Sequence, residues 1–223
     1  MTINNPHFVS GDRNYSSSSL RVWLLLNEFE VSYHETVIKL FQSDSVEKIA
    51  MHSPSLQLPV FIHDSIKVWD SLAICEYINE TFLEGRAWPQ DAKKRAAARS
   101  IANEIHADFK HFKKDWPMNC QLKSQVKVST AIEKEIARLD AIIYCCRTNF
   151  GDGGNYLFGQ FSIVDCMLAP IVIALDAYGA DLSQLSKAYI QTLLSNQYIE
   201  CWLEQAESEI TKELHDIDWE QTA

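Results

Sequence analysis

The stretch Ser55-Leu-Gln-Leu-Pro-Val-Phe-Ile-His-Asp-Ser-Ile-Lys-Val-Trp-Asp-Ser-Leu-Ala-Ile-Cys75 decides the fold. Two short apolar runs, at residues 59–62 and 66–69, are separated by three polar residues, a pattern that predicts a β-hairpin. Asp70 and Ser71 then precede residues 72–82, which are apolar on several sides and predict a well-buried helix with its cap ahead of it. The stretch therefore predicts a β-β-α unit.

The residues upstream predict a second unit, of β-α-β order. Residues 7–10 form a candidate strand, and the serine run at 16–19 precedes a buried helix over 20–26. Residues 32–38 contain β-branched and aromatic residues in rough alternation, which indicates another strand. We expect residues 1–83 to form one small α/β domain with the order βαβ-ββα.

Strand signals stop after this domain. Residues 84–90 include Gly85 and Pro89 and are the best candidate for a linker. Residues 91–223 predict an all-helical domain, so the fold class is α/β followed by all-α. We expect the helical domain to begin with one long, alanine-rich helix over residues 92–115.

Further helices follow in the second domain. The apolar residues Ile132, Ile136, Leu139 and Ile143 share one face of a second long helix. Ser162-Ile-Val-Asp165 matches the capping box that precedes an apolar helix, and we assign it a structural role. Two more helices are predicted, over residues 183–194 and 198–214.

Composition excludes several function classes. Glycine accounts for 7 of 223 residues, where average usage predicts about 16. Neither G-x-G-x-x-G nor G-x-x-x-x-G-K-[ST] occurs, so nucleotide chemistry of these two kinds is not expected. The net charge of −10 gives an acidic surface that repels nucleic acid, and we expect no nucleic-acid partner.

One segment departs from the acidic balance. Seven Lys or Arg residues lie between residues 93 and 114, against Glu104 and Asp108. A solvated helix face is the simpler interpretation of this segment. The alternative is a local site that attracts anions.

The six cysteines show no C-x-x-C spacing, and several lie in apolar helical stretches. This pattern predicts free thiols in a reducing compartment. No signal peptide is evident at residues 1–5, and the longest apolar run, residues 166–175, is too short to span a membrane. We expect a cytoplasmic protein without a membrane partner.

Metal and hydrolase chemistry find little support in the motifs. The seven histidines are scattered, no H-E-x-x-H occurs, and we expect no metal site. A serine hydrolase is not favoured either, because the chain lacks a G-x-S-x-G elbow.

Three other spots can carry chemistry. The serine run can simply cap its helix, or a hydroxyl there can stabilise a bound thiolate, aided by the helix dipole. Lowering a free thiol pKa of about 8.5 by about 2 units makes most of the thiol reactive at neutral pH. A cis bond at Leu58-Pro59 would turn the Leu58 backbone outward to pair with a peptide ligand. Asp70 and Ser71 can cap a helix or hold an α-amino-acid group.

The order of these spots resembles the cytosolic glutathione transferases, particularly the bacterial serine-type and zeta-like groups, over nearly the whole chain. Tyr15-Ser-Ser-Ser-Ser-Leu-Arg21 with Trp23, Gln57-Leu-Pro59 and Asp70-Ser-Leu-Ala-Ile-Cys-Glu-Tyr77 carry the resemblance, together with the segment 86–100. It implies a thioredoxin-like N-terminal domain that binds glutathione, an all-helical C-terminal domain and a homodimer.

The resemblance also implies roles for single residues. Ser16 looks like the hydroxyl that stabilises the glutathione thiolate, with Ser17 and Tyr15 as alternatives. Pro59 looks like the family's cis-proline, Leu58 like a backbone partner of the cysteinyl part, and Gln57 like a zeta-type glutamine. Asp70 and Ser71 look like the γ-glutamyl binders. We further name candidates for the second-substrate pocket: Arg13, His106, Phe109, Phe112 and Met118.

The implied function is conjugation of glutathione, as a co-substrate, to electrophilic small molecules, a detoxification reaction. This chain has Ser18 where the zeta motif usually carries cysteine, so the resemblance favours glutathione binding over isomerisation of maleylacetoacetate. Glutathione-dependent isomerisation or peroxide reduction remains the alternative. A second alternative is a non-catalytic, transferase-like binding module.

Overall fold

The computed structural model describes residues 5–123 and 128–209. Its first part contains a four-stranded sheet and three helices. In chain order these are β1 His7–Gly11, α1 Ser17–Glu28, β2 His34–Ile38, α2 Ser45–His52, β3 Val60–His63, β4 Ile66–Trp69 and α3 Ser71–Thr81.

The sheet is mixed, with strand order β2-β1-β3-β4. Strands β1 and β2 are parallel, with His7 opposite His34, and α1 forms the crossover between them. Strand β3 is antiparallel to both β1 and β4. The predicted βαβ-ββα order is confirmed.

Helix α2 was not predicted. Of its apolar residues, Ile49 is buried, whereas Val46 and Met51 are 61% and 64% exposed. A helix that buries so little gives no periodic apolar stripe in the sequence.

The second part of the described chain is helical. After residues 82–91, which form no helix or strand, come α4 Ala92–Ala107, α5 Lys110–Asp115, α6 Thr130–Phe150, α7 Ile163–Ala177, α8 Gln184–Leu194 and α9 Gln197–Glu207. The boundary at residues 84–90 stays a prediction. The predicted end of the last helix, residues 210–214, lies outside the described residues. No described helix is long and apolar enough to cross a membrane.

The single helix predicted over residues 92–115 is wrong, because the chain breaks at Asp108 and Phe109. Asp108 is extended, and Phe109 has a left-handed backbone with φ of 59°. The carboxylate of Glu135, on α6, accepts hydrogen bonds from the backbone N–H groups of His111 and Phe112. A separate α5 therefore begins beside α6, with N–H groups of its first turn satisfied.

Helix α7 is the centre of the core and packs against both α1 and α4. Its capping box is confirmed. Asp165 is fully buried, and its two carboxylate oxygens accept hydrogen bonds from Ser162 N–H at 2.9 Å, Ser162 Oγ at 3.0 Å, Leu157 N–H at 3.1 Å and the Tyr189 hydroxyl at 2.9 Å. One carboxylate thus fixes where α7 begins and joins it to α8.

Candidate active site

A cleft of about 840 Å³ lies between the two parts of the chain. One half is lined from the sheet domain, by the start of α1, by Leu40 and Ile49, and by the loops before β3 and α3. The other half is lined by α4, α5, residues 116–118 and α7. The predicted residues that line the cleft are Tyr15, Ser16, Ser17, Gln57, Leu58, Asp70, Ser71, His106, Phe112 and Met118.

Ser16 is the N-cap of α1 and is 7% exposed. Its hydroxyl donates a hydrogen bond to Ser19 Oγ at 2.7 Å, and Ser19 Oγ accepts from the Gly11 N–H at 2.9 Å. A Cβ at Gly11 would lie 2.7 Å from both Cβ and Oγ of Ser16. Glycine at position 11 therefore leaves the room in which this hydroxyl pair packs.

Two neighbouring serines also face the cleft. Ser17 and Ser18 are half-buried, and their hydroxyls have no hydrogen-bond partner within the part of the chain that the structure describes. Tyr15 is buried and its ring packs edge-on against Phe41. The start of α1 thus presents three consecutive serines to the cleft.

Asp12 holds the loop between β1 and α1 in place. Its carboxylate accepts hydrogen bonds from the N–H groups of Tyr15 at 3.1 Å and Leu40 at 2.9 Å. Burial raises the pKa of Asp12, although the Leu40 hydrogen bond opposes this. This carboxylate fixes the backbone immediately before Ser16.

The prediction that Arg13 lines the second-substrate pocket is wrong. Its guanidinium forms an ion pair with Glu35 at 2.7 Å and lies 4.4 Å from the centre of the Trp202 ring. Its backbone N–H donates to Glu209. These partners lie on β2 and around α9, so Arg13 points away from the cleft and anchors the loop against the helical part.

The Leu58-Pro59 peptide bond is cis, as the resemblance implied. Gln57 and Leu58 line the cleft, whereas Pro59 lies directly behind them at the entry to β3. Residues of this loop therefore border the same cleft as the start of α1.

Asp70 caps α3 and joins the two parts of the cleft. Its Oδ1 accepts from the N–H groups of Leu72 and Ala73, and its Oδ2 lies 2.8 Å from His106 Nε2 on α4. Burial pushes the pKa of Asp70 upward, but the His106 and backbone hydrogen bonds outweigh it, so the pKa falls below its usual value. Asp70 is therefore an anion at neutral pH, beside the buried Ser71.

Arg21 is a site residue that sequence reasoning missed. It lines the cleft and is 4% exposed, with Nη1 at 3.4 Å from both Ser71 Oγ and His106 Nδ1. Its buried Nε has no hydrogen-bond partner, and no described carboxylate forms an ion pair with it. Burial lowers the pKa of Arg21 to about 10, so the group is still a cation at neutral pH. The sequence could have indicated this position, because Arg21 follows Ser17 by four residues and so lies on the same face of the helix.

The second half of the cleft combines apolar and basic groups. His106, Phe112 and Met118 line it, but the prediction for Phe109 is wrong, because that side chain packs in the core without lining the cleft. Sequence reasoning also missed three lysines of α5 at positions 110, 113 and 114, which line the cleft. Their i, i+3, i+4 spacing could have indicated that the three lysines share one face of a helix.

This geometry defines a class of protein: a thioredoxin-like domain and a helical domain that share a cleft. The described residues contain no group of three or more His, Cys, Asp or Glu side chains placed to hold a metal ion. Matches to known protein families support this assignment. Models of the glutathione S-transferase N-terminal domain and C-terminal domain match residues 15–81 and 121–195. The chain belongs to the glutathione S-transferase family and is zeta-like within it.

Individual members of this family are similar to the chain in sequence and in fold. The chain is 31% identical to a mouse maleylacetoacetate isomerase, over 75% of this chain and 78% of that protein. It is 28% identical to glutathione S-transferase 1 of Dianthus caryophyllus, over 79% of this chain and 84% of that protein. Its fold is similar to that of a glutathione transferase homolog from Burkholderia solved with bound glutathione, with a TM-score of 0.69 and 18% identity, covering 92% of this chain and all of that one.

Proposed function

We propose that this glutathione transferase binds glutathione in the half of the cleft nearest the sheet, ionises its thiol at the start of α1 and transfers it to an electrophilic small molecule. The observation that carries this proposal is Arg21. A buried cation that forms no direct ion pair is costly, because the charge of Asp70 acts on it only at longer range, and a bound carboxylate would offset that cost.

The γ-glutamyl end of glutathione supplies such a carboxylate. Its α-carboxylate would lie against Arg21 and the Ser71 hydroxyl, at the N-terminus of α3, where backbone N–H groups also favour an anion. Its α-ammonium would lie against Asp70, which is ionised at neutral pH. His106 bridges the two, because the tautomer with hydrogen on Nε2 donates to Asp70 while Nδ1 accepts from Arg21.

The cysteinyl part would pair with the Leu58 backbone beside Pro59, with Gln57 at the rim, as the resemblance implies. This places the ligand as an extended segment along the loop before β3. The sulfur then points toward the start of α1.

Ser16 is the residue that we assign to the thiolate. The hydroxyls of Ser16 and Ser19 can reverse their hydrogen bond, so that Ser19 donates to Ser16 and Ser16 donates to sulfur. The Gly11 N–H still donates to Ser19 in that arrangement. Ser17 and Tyr15 remain the alternatives. The thiolate forms a bond to the electrophilic carbon, the leaving group departs with its electron pair, and the thiol proton passes to water.

Retention on immobilised glutathione, combined with turnover of Ser16→Ala, tests this proposal. We expect the wild-type protein to bind the resin and the variant to lose most of its turnover at neutral pH while still binding. The proposal fails if the wild type is not retained and the variant turns over normally.

A second candidate function is glutathione-dependent isomerisation, favoured by the similarity to mammalian maleylacetoacetate isomerases. Isomerisation regenerates glutathione, whereas conjugation consumes it and peroxide reduction oxidises it. Measuring glutathione consumed per turnover with a maleylacetoacetate analogue, a chloronitrobenzene and cumene hydroperoxide separates the three activities.

We further propose a homodimeric, cytoplasmic protein. The edge strand β4 exposes Ile66 and Trp69, at 50% and 47%, and a second copy is the occupant that family membership favours. The six cysteines are all unpaired, as is usual in a reducing compartment. Sedimentation of the wild type and of Trp69→Ser tests the dimer. We expect the variant to dissociate into monomers at a higher protein concentration than the wild type does.

A further inference from the structure

The three lysines of α5 lie on one face of a single helix. Lys110, Lys113 and Lys114 stand at i, i+3 and i+4, and that face lines the cleft. The other basic residues of the segment 93–114 lie on α4 and do not line it. The structure therefore concentrates three cations of that segment at one wall.

Within the described residues these cations lack a direct ion pair, although the carboxylates of Asp108, Glu135 and Asp70 act on Lys113 at longer range. None of the three forms an ion pair with a described carboxylate, and the Lys113 ammonium instead donates to the backbone carbonyl of His106 at 2.6 Å. Glu135, the nearby acid of α6, is engaged by N–H groups of α5. Asp115 of the same helix also lines the cleft, so three lysines and one aspartate give this wall a net positive charge in a chain whose net charge is −10.

The surface next to the lysines is apolar. Phe112, Trp116 and Met118 are buried and line the cleft, as do Pro170, Ile171 and Ala174 of α7. Trp116 is held flat against Tyr178, with ring centres 4.9 Å apart. This wall suits a hydrocarbon or aromatic body that ends near a cationic rim.

We propose that the second substrate is an apolar electrophile that carries an anionic group, a carboxylate or sulfonate. Its body lies against the wall of α7 and residues 116–118, and its anion faces Lys110, Lys113 and Lys114. The inference rests on the proposed transferase function and adds the chemical class of the electrophile.

Lys113 makes this preference depend on pH. Loss of hydration along the cleft wall, followed by the charge of Arg21, lowers the pKa of Lys113 to about 8, against the opposing charges of Asp108, Glu135 and Asp70. Lys113 is a cation at neutral pH and loses its proton as pH rises through this value. The preference for an anionic substrate should therefore fall above about pH 8.

The test compares two chloroarenes that differ only in one carboxylate, 1-chloro-2,6-dinitrobenzene and 4-chloro-3,5-dinitrobenzoate. In both reactions the glutathione sulfur forms a C–S bond, the C–Cl bond breaks, chloride leaves with the electron pair, and the thiol proton goes to water. Each kcat/KM is divided by the uncatalysed rate constant with glutathione. This normalisation removes the difference in intrinsic reactivity between the two arenes. The ratio of the two normalised values, benzoate over neutral arene, is then independent of how far the glutathione thiol is ionised.

We expect the wild type to favour the benzoate. Each exposed cation is worth up to about fivefold in this ratio. Lys113→Gln should lower this ratio, and the combined Lys110→Gln, Lys113→Gln and Lys114→Gln variant should abolish the preference for the benzoate. Lys134→Gln is the matched control, because it removes an exposed lysine of α6 outside the cleft.

Three results would overturn the inference. Equal normalised rates for both arenes in the wild type would refute it while leaving the transferase function intact. A raised KM for glutathione in the lysine variants, with the arene ratio unchanged, would show that the lysines bind glutathione instead. Turnover of neither arene, without glutathione binding, would refute the proposed function and this inference together.

Discussion

Replacing Arg21 by methionine separates ligand binding from folding. Methionine has a similar length and is apolar, so Arg21→Met removes a buried cation that forms no direct ion pair in the free protein. The two hydrogen bonds that it loses, to Ser71 and His106, are both long at 3.4 Å. We therefore expect the free energy of unfolding of the ligand-free protein to stay constant or rise.

Glutathione binding should change in the opposite direction. A charge-assisted hydrogen bond contributes about 1.5–3 kcal/mol, which corresponds to about 10- to 150-fold in Kd. Calorimetric titration measures this loss. A glutathione analogue that lacks the α-carboxylate of the γ-glutamyl group, 4-aminobutyryl-cysteinylglycine, should bind wild type and Arg21→Met with similar affinity.

Arg99→Met is the control, because it removes an exposed arginine of α4 that pairs with Glu76 outside the cleft. It should discriminate between glutathione and the analogue as the wild type does. The role of Arg21 as the carboxylate's partner is refuted if Arg21→Met still discriminates fully, because Arg21 would then not contact this carboxylate. It is also refuted if the variant unfolds several kcal/mol more easily, because the cation would then have a structural partner.

Three further predictions concern the site and its support. Ser16→Ala should shift the acidic limb of the kcat/KM profile upward by about 1–2 pH units, the equivalent of one charge-assisted hydrogen bond, and a profile shifted instead by Ser17→Ala would reassign the hydroxyl. Asp165→Ala leaves several buried donors at the start of α7 unpaired and should lower the free energy of unfolding by about 3–5 kcal/mol in urea titrations; a loss below about 1 kcal/mol would contradict its role. Glu209→Gln weakens its contacts to the N–H groups of residues 13 and 14 and should lower kcat by a few fold with KM for glutathione unchanged; an effect on KM alone would point to the binding half of the cleft.

Local patterns made much of the fold predictable. The hairpin, α3 and the capping box of α7 each depend on residues that are adjacent in sequence, such as Asp70 before an apolar run or Asp165 three residues after Ser162. Propensity and capping act at this range, so the sequence carries the information directly.

The predictions that failed did so because of contacts between residues that are distant in sequence. The break at Phe109 accompanies contacts of the α5 backbone to Glu135 on another helix, and Arg13 turns away because Glu35 and Trp202 hold it. Arg21 lies in a run of leucine and valine that predicts only a buried helix. Its role became visible once folding had placed Ser71 and His106 beside it.

The central claim is that the start of α1 ionises bound glutathione. Ultraviolet difference absorption of the thiolate, titrated against pH in the saturated wild-type complex, measures the pKa of the bound thiol directly. We predict a value about 2 units below the pKa of about 8.5 of a free thiol, with Ser16→Ala returning it most of the way. A bound thiol that ionises at the pKa of free glutathione would contradict the account.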